Sequence, residues 1–228
     1  VQDLGLVWLI RSLIPDFELH ASTQMTVHNL YGARFLEKLG FKRVILSREM
    51  SLQEIEHITR NSGIETEIFG HGALCFSYSG QCLMSSFIGS RSGNRGKCAQ
   101  PCRLEYSLLE NGKEVSFPFK HLLSTKDLNT SEIMPEILKS GIKSLKLEGR
   151  MKKAEYVATV VRVYKKILNS APPDDSDKKD LIKIFNRQFT TAYLKNPLNS
   201  VVAPERPDNR GIYIGKILCV SEKIQIKL

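Results

Sequence analysis

Short apolar runs alternate with longer amphipathic ones along this chain, and that alternation sets its first reading. LGLVWLI (Leu4 to Ile10) reads as a buried strand and ELHAST (Glu18 to Thr23) as a second. VHNLYGARFLEKLG (Val27 to Gly40) carries its apolar positions at helical spacing and ends on Gly40, after which RVILS (Arg43 to Ser47) returns to strand character. In SLQEIEHITRNSG, Ser51 is followed three positions later by Glu54, a capping box, and Gly63 supplies the stop. ETEIFGHGAL (Glu65 to Leu74) is a fourth strand, running into a Gly/Ser/Arg-rich stretch from Cys75 to about Pro101. The pattern then resumes with SEIMPEILKSG as a helix, SLKLEG (Ser144 to Gly149) as a strand and AEYVATVVRVYKKILN as a long helix. APPDDSDKKD (Ala171 to Asp180) reads as a polar loop and LIKIFNRQF as a short helix.

Strands joined by helices at this spacing imply βαβ units, a mainly parallel sheet and the α/β class. The chain opens at Val1 directly in an apolar run and stops at Leu228 after a strand-like segment, so it reads as a piece of a longer protein. The expected architecture is a partial (β/α)8 TIM-like barrel with its N-terminal units missing. NPLNSVVAPERPDNRG (Asn196 to Gly211) is Pro/Asn-rich and marks a boundary. Beyond it IYIGKILCV and KIQIKL alternate like a β-hairpin, the start of a small β domain. The expected division is residues 1–195 for the barrel portion, with a cysteine segment at 71–103, and 196–228 for the linker and β domain.

Composition changes this picture little: 42% hydrophobic and 25% charged residues are ordinary for a globular chain. The net charge of +9 adds an anionic partner, without choosing between nucleic acid, an acidic metabolite and a membrane surface. No apolar run approaches the roughly 20 residues that span a bilayer, and no signal-peptide pattern is visible, so a cytoplasmic protein is expected.

Four of the five cysteines stand in the pattern Cys-x6-Cys-x15-Cys-x3-Cys, at Cys75, Cys82, Cys98 and Cys102. Thiolates select zinc, copper or iron–sulfur clusters. Loops rich in Gly and Ser, such as those around Gly80, Gly93 and Gly96, let a backbone wrap a 4Fe–4S cube and donate N–H bonds to its sulfurs. Only Cys98/Cys102 has the tight hook of a structural zinc site, but zinc, disulfides and plain buried cysteines stay open on spacing alone. Cys219, far away on an apolar strand, reads as a core residue.

Glu67 to Ser86 (E-x-F-x-H-G-A-L-C-x6-C-L-x-S-S), Gly89 to Arg103 (G-x-R-S-G-N-R-G-x-C-A-Q-P-C-R), Ser124 to Leu128 (S-x-K-D-L) and Ser144 to Lys152 (S-L-K-L-E-G-R-M-K) resemble the collagenase-like U32 peptidase family over nearly the whole chain. Named for a reported collagenase activity, the family includes members implicated in oxygen-independent hydroxylation of ribosomal RNA, transfer RNA and ubiquinone precursors. The resemblance implies a 4Fe–4S cluster on Cys75, Cys82, Cys98 and Cys102, an RNA substrate, and prephenate as the source of the hydroxyl oxygen. The Cys-Ala-Gln-Pro-Cys form is most similar to the ribosomal RNA branch. Some members carry a cysteine after the K-D-L motif where this chain has Asn129, so Cys102 is implied to complete the set.

The candidates for chemistry follow. His71 ends a strand beside Cys75 and either faces the site or orients the loop. Arg91, Arg95 and Arg103, with Asn94, lie in the cysteine segment and are candidates for binding a carboxylate or phosphate, or for donating to loop carbonyls. Lys146 and Glu148 point to one strand face and are either an ion pair or part of the site. Glu148, Arg150 and Glu67 are the remaining catalytic candidates. Lys139, Lys143, Lys146, Arg150, Lys152 and Lys153 form a basic run that suits RNA or is a solvated helix end. His20, His28, His57 and His121 are too scattered to name a protease triad, and no His-Glu-x-x-His or Gly-x-Ser-x-Gly motif is present. A peptidase on a protein substrate and a non-catalytic cluster-bearing scaffold are the alternatives to an RNA hydroxylase.

Overall fold

Ser51 caps its helix as its sequence announces: its Oγ accepts from the Glu54 N–H at 3.3 Å, and Glu54 Oε2 accepts from the Ser51 N–H at 2.8 Å. The computed structural model describes residues 1–169, 171–195, 201–220 and 224–227. Along the chain run α1 (Leu4–Leu13), β1 (His20–Ala21), α2 (Leu30–Lys38), β2 (Arg43–Ile45), α3 (Leu52–Asn61) and β3 (Glu65–Ala73). Next come α4 (Met84–Gly89) and the hairpin of β4 (Leu108–Glu110) and β5 (Lys113–Val115). β6 (Asp127–Asn129), α5 (Met134–Lys139), β7 (Ser144–Leu147), α6 (Ala154–Leu168), α7 (Asp175–Ile184) and β8 (Phe189–Thr190) follow, then β9 (Lys216–Val220) and β10 (Ile224–Lys227).

β1, β2, β3 and β7 are parallel neighbours in that order, as βαβ logic requires. β6 departs from it: it pairs with β3 antiparallel, His71 opposite Asn129, and with β8 parallel. A parallel partner needs a crossover that returns the chain to the start of the sheet, and the only α-helix described between β3 and β6 is the six-residue α4. The α/β class therefore holds, while the sheet is mixed and its strand order does not close on itself among the described residues. The core lies between sheet and helices, where Val44, Ile68 and Leu128 meet Leu36, Ile55, Ile58, Ile137, Val160 and Val163.

Several sequence expectations are corrected. LGLVWLI is helical: Asp3 Oδ1 accepts from the Leu6 N–H at 2.6 Å and starts α1. A short continuous apolar run does not tell strand from helix, and here the cap decides. Only Val7 of α1 is buried, while Leu4, Trp8 and Leu13 are exposed. The polar stretch before Asp180 is mostly the first turns of α7, because Asp174 and Asp177 form a capping box and both take Lys166 as counter-charge at 2.7 and 2.6 Å. LIKIFNRQF is helical only to Ile184, then extends into β8. Cys219 is exposed on β9 rather than buried in a core. β9 and β10 do pair as the expected hairpin. Of the expected boundary at 196–211, residues 196–200 lie outside the described residues; Ala203 N–H donates to Ser124 O at 2.7 Å, returning that segment to the sheet unit. The β4–β5 hairpin was unread in the sequence, although Asn111 and Gly112 both adopt the positive φ (50° and 76°) that an Asn-Gly turn favours.

The K-D-L motif places Asp127 where Arg187 reaches it: Nη2 to Oδ1 is 2.5 Å, the Arg187 N–H donates to Oδ2 at 2.9 Å, and the two side chains are 4% and 3% exposed. Asp127→Ala strands a buried guanidinium and is expected to destabilise the chain by about 3–5 kcal/mol. Denaturant unfolding, compared with an Arg187→Met/Asp127→Leu double variant that removes both charges and loses less, checks this.

Candidate metal centre

The segment after β3 is fastened over the carboxyl ends of β1 and β2. Ser79, almost fully buried, donates its N–H and Oγ to Glu49 Oε1 at 2.9 and 3.1 Å, and its carbonyl accepts from Thr26 Oγ1 at 2.8 Å. Gly80 has φ +76°, and a Cβ there would lie 2.5 Å from the carbonyl oxygen of Gln24, so only glycine permits this approach. Gln24 Nε2 donates to the Asn94 carbonyl and Asn94 Nδ2 to the Gly80 carbonyl, each at 3.1 Å. Ser85 Oγ accepts from the Ala99 N–H at 2.9 Å, tying α4 to the last pair of cysteines.

This stitching encloses a cavity of about 670 Å³ lined by all four cysteines of the segment. Cys82, Cys98 and Cys102 are half-buried and Cys75 is exposed, and no disulfide joins any of the four. Cys98 Sγ accepts a backbone N–H from Gln100 at 3.3 Å, made possible by the left-handed Gln100 (φ +58°) ahead of the 3-10 turn Pro101–Arg103. Desolvation raises the Cys75 and Cys102 thiols above the ordinary value, against the pull of the Ser77 N–H and Arg48 on the first and of Arg103 on the second. Although Cys75 is exposed as a residue, desolvation dominates at its sulfur, which faces the cavity wall. Among the described residues no three His, Cys, Asp or Glu side chains converge closely enough to hold one metal ion.

Lys146, Glu148, Arg150 and Asn94 line the same cavity. Lys146 and Glu148 do share a face, but Glu148 approaches Arg48 at 3.9 Å rather than pairing with Lys146. The other candidates stand elsewhere. His71 is 1% exposed among Tyr156, Tyr164 and Phe189, with Nδ1 3.3 Å from the Tyr164 hydroxyl; the register shift of β3 between Phe69 and His71 breaks the alternation, so His71 enters the core while Phe69 lines the cavity. Glu67 accepts from Ser144 Oγ at 2.7 Å and meets Arg43 at 3.6 Å, in the half of β3 away from the cavity. Arg103 is buried and donates to Ser124 Oγ, Thr125 O and Thr125 Oγ1 at 2.8–3.0 Å, which makes it a structural brace. Arg91 is exposed and donates to Lys97 O at 2.9 Å, and Arg95 is exposed outside the cavity lining. The basic run divides as well, since Lys152 is half-buried over Phe185 and burial lowers its pKa to about 8. Asn129 is tied to Tyr164 and Ser131, away from the thiols. Sequence reasoning missed Arg48 and Glu49. Their signal was position: they follow β2 at its carboxyl end, where parallel sheets place their sites.

The model of peptidase family U32 matches residues 1–201. The chain belongs to that family. It is 37% identical over 210 residues to the tRNA hydroxylation protein P1 of Bacillus subtilis, covering 86% of this chain and 49% of that protein. It is 34% identical over 236 residues to the 23S rRNA 5-hydroxycytidine synthase of Escherichia coli, covering 97% of this chain and 36% of that one. The collagenase of Porphyromonas gingivalis is 32% identical over 196 residues, 77% of this chain and 47% of that protein. The chain thus spans between about a third and a half of the length of these relatives. No described helix of this U32 chain is long and apolar enough to cross a membrane.

Burial lowers the His71 pKa from 6.5 to about 4, so the unfolded chain binds that proton more tightly than the folded one. Stability from this residue is complete above about pH 6.5 and is lost as the pH falls toward about 4. The melting temperature is expected to drop between pH 7 and pH 5, and to drop less in a His71→Gln variant measured in the same buffers.

Proposed function

We propose that this U32 chain is the cluster-bearing part of an enzyme that hydroxylates an RNA base without molecular oxygen. The observation that carries the reading is the convergence of Cys75, Cys82, Cys98 and Cys102 on one cavity that also holds Arg48, Lys146, Glu148 and Arg150. Two of the relatives are named for hydroxylating tRNA and for making 5-hydroxycytidine in 23S rRNA.

An all-thiol donor set suits a 4Fe–4S cluster, and four thiols around one cavity leave room for a polynuclear group. The N–H donated to Cys98 Sγ is the kind of bond that stabilises cluster thiolates. A bound cluster would supply electron transfer at the cavity. Around it, Glu148 and the three cations line the wall available to substrate, and the Ser79–Glu49 fastening holds the loop against the strand ends. The +9 charge favours a polyanionic partner. Prephenate as oxygen donor belongs to this proposal, as do a partial (β/α)8 barrel, supported by the parallel run β1, β2, β3, β7, and a division near residue 196.

The peptidase alternative finds less support, because His71, the histidine beside the cysteine segment, is buried in the aromatic core. In anaerobically purified protein, Cys98→Ala is expected to lose most of its iron and sulfide, and ribonucleosides from cells carrying only that variant to lack the hydroxylated base by mass spectrometry. Wild-type protein without iron, or a Cys98→Ala strain with normal RNA, would refute the reading; gelatin cleavage that survives loss of all four cysteines would favour the peptidase.

A further inference from the structure

Among the described residues, Arg48 brings to the cavity a buried guanidinium N–H with no hydrogen-bond acceptor. The Arg48 guanidinium lies 3.9 Å from the centroid of the Phe69 ring, so its face is occupied and its in-plane N–H groups are what it offers. Its Nε is buried without a hydrogen-bond partner among the described residues, and its side chain is 16% exposed. The carboxylate paired with it, Glu148, is 3.9 Å from Nη2, beyond hydrogen-bond range. Lys146 Nζ stands 5.3 Å over the same ring, and Arg150 lines the same cavity. Three cations thus face one carboxylate, and a buried guanidinium donor is left unsatisfied, which native structures rarely tolerate without a ligand or water to accept it.

We infer that Arg48, assisted by Lys146, forms a subsite for the oxyanion of a small molecule, a carboxylate or a phosphate, inside the cavity that the cysteines line. The planar fork suits such a group because it can donate two parallel bonds to one oxyanion while Phe69 keeps it flat. Lys146 adds a point charge with rotatable donors. A small molecule fits better than an RNA backbone phosphate: Arg48 is recessed, whereas the exposed Arg91 and Arg95 would meet a polyanion first. The inference deepens the proposal above by assigning the carboxylate contact of its co-substrate, and it moves that contact from the arginines of the cysteine segment to the end of β2. It rests on the cavity's charges and is independent of which base is hydroxylated.

Calorimetric titration of the anaerobically purified full chain with malonate and with inorganic phosphate tests it. At least one probe is expected to bind. Arg48→Gln should weaken that binding ~10-fold or more, with Arg48→Lys intermediate and Lys146→Gln weakened ~3-fold or more. Arg60→Gln, exposed on α3 and paired with Glu56, should bind as wild type. Iron and sulfide are measured on every sample. Failure of wild type to bind either probe, unchanged binding by Arg48→Gln, or weakening only in proportion to iron lost each overturns the subsite; in the last case the cations serve the cluster. Arg48-dependent binding of a short RNA alone would assign the cation to the RNA backbone and also overturn it. Failure of the RNA reading appears separately, as unaltered ribonucleosides in the cysteine-variant strain with the anion titration intact.

Discussion

The close approach of β7 to β3 depends on two missing side chains. A Cβ on Gly70 would lie 2.6 Å from the Leu145 side chain, and one on Gly72 (φ +118°) would lie 2.6 Å from the Glu148 carbonyl oxygen. With both absent, the Glu148 N–H donates to His71 O at 2.8 Å, and β7 with the turn that follows it brings Lys146, Glu148 and Arg150 along the cavity. The same stretch of β3 serves its other neighbours. The Gly70 carbonyl accepts from Thr130 N–H at 3.1 Å, Thr130 Oγ1 at 2.9 Å and the Tyr164 hydroxyl at 2.8 Å, joining β3 to the end of β6 and to α6. Buried polar groups satisfied by several partners specify one arrangement and resist small shifts. The charged wall of the cavity is therefore held by groups outside it.

The thiol-bearing wall is built differently. The segment after Cys75 leaves Phe76, Leu83, Phe87 and Ile88 exposed rather than in the core, so it gains order from hydrogen bonds to its neighbours. Glu49 and Thr26 hold Ser79, Gln24 holds Asn94, and Ser85 reaches across to Ala99. Two of those anchors, Thr26 and Glu49, lie just past β1 and β2, so the sheet ends that shape the cavity also position its cysteine loop. Arg48 belongs to both systems: its backbone N–H donates to Ser79 Oγ at 3.2 Å, while its guanidinium lies against Phe69.

Several candidates were misplaced for one physical reason. His71 stands two positions from Phe69 and Arg103 beside Cys102, but the register shift of β3 between Phe69 and His71 and the turn of a 3-10 helix send these side chains to different sides. His71 entered the aromatic core and Arg103 the buried hydrogen bonds of Ser124 and Thr125. Arg48, 27 positions before Cys75, carries no motif of its own and joins the site only because β2 and β3 are parallel neighbours.

The sequence by itself determined the α/β class, the Ser51 capping box, the four clustered thiols, the shared face of Lys146 and Glu148, and the U32 family, because each rests on spacing that local geometry reads directly. Only the tertiary structure decided that LGLVWLI is a helix, that β6 runs antiparallel to β3, that His71 is a core residue and that Arg48 stands in the cavity. Those outcomes depend on which surfaces meet across the fold, and contacts between residues far apart in the chain leave no period in the sequence.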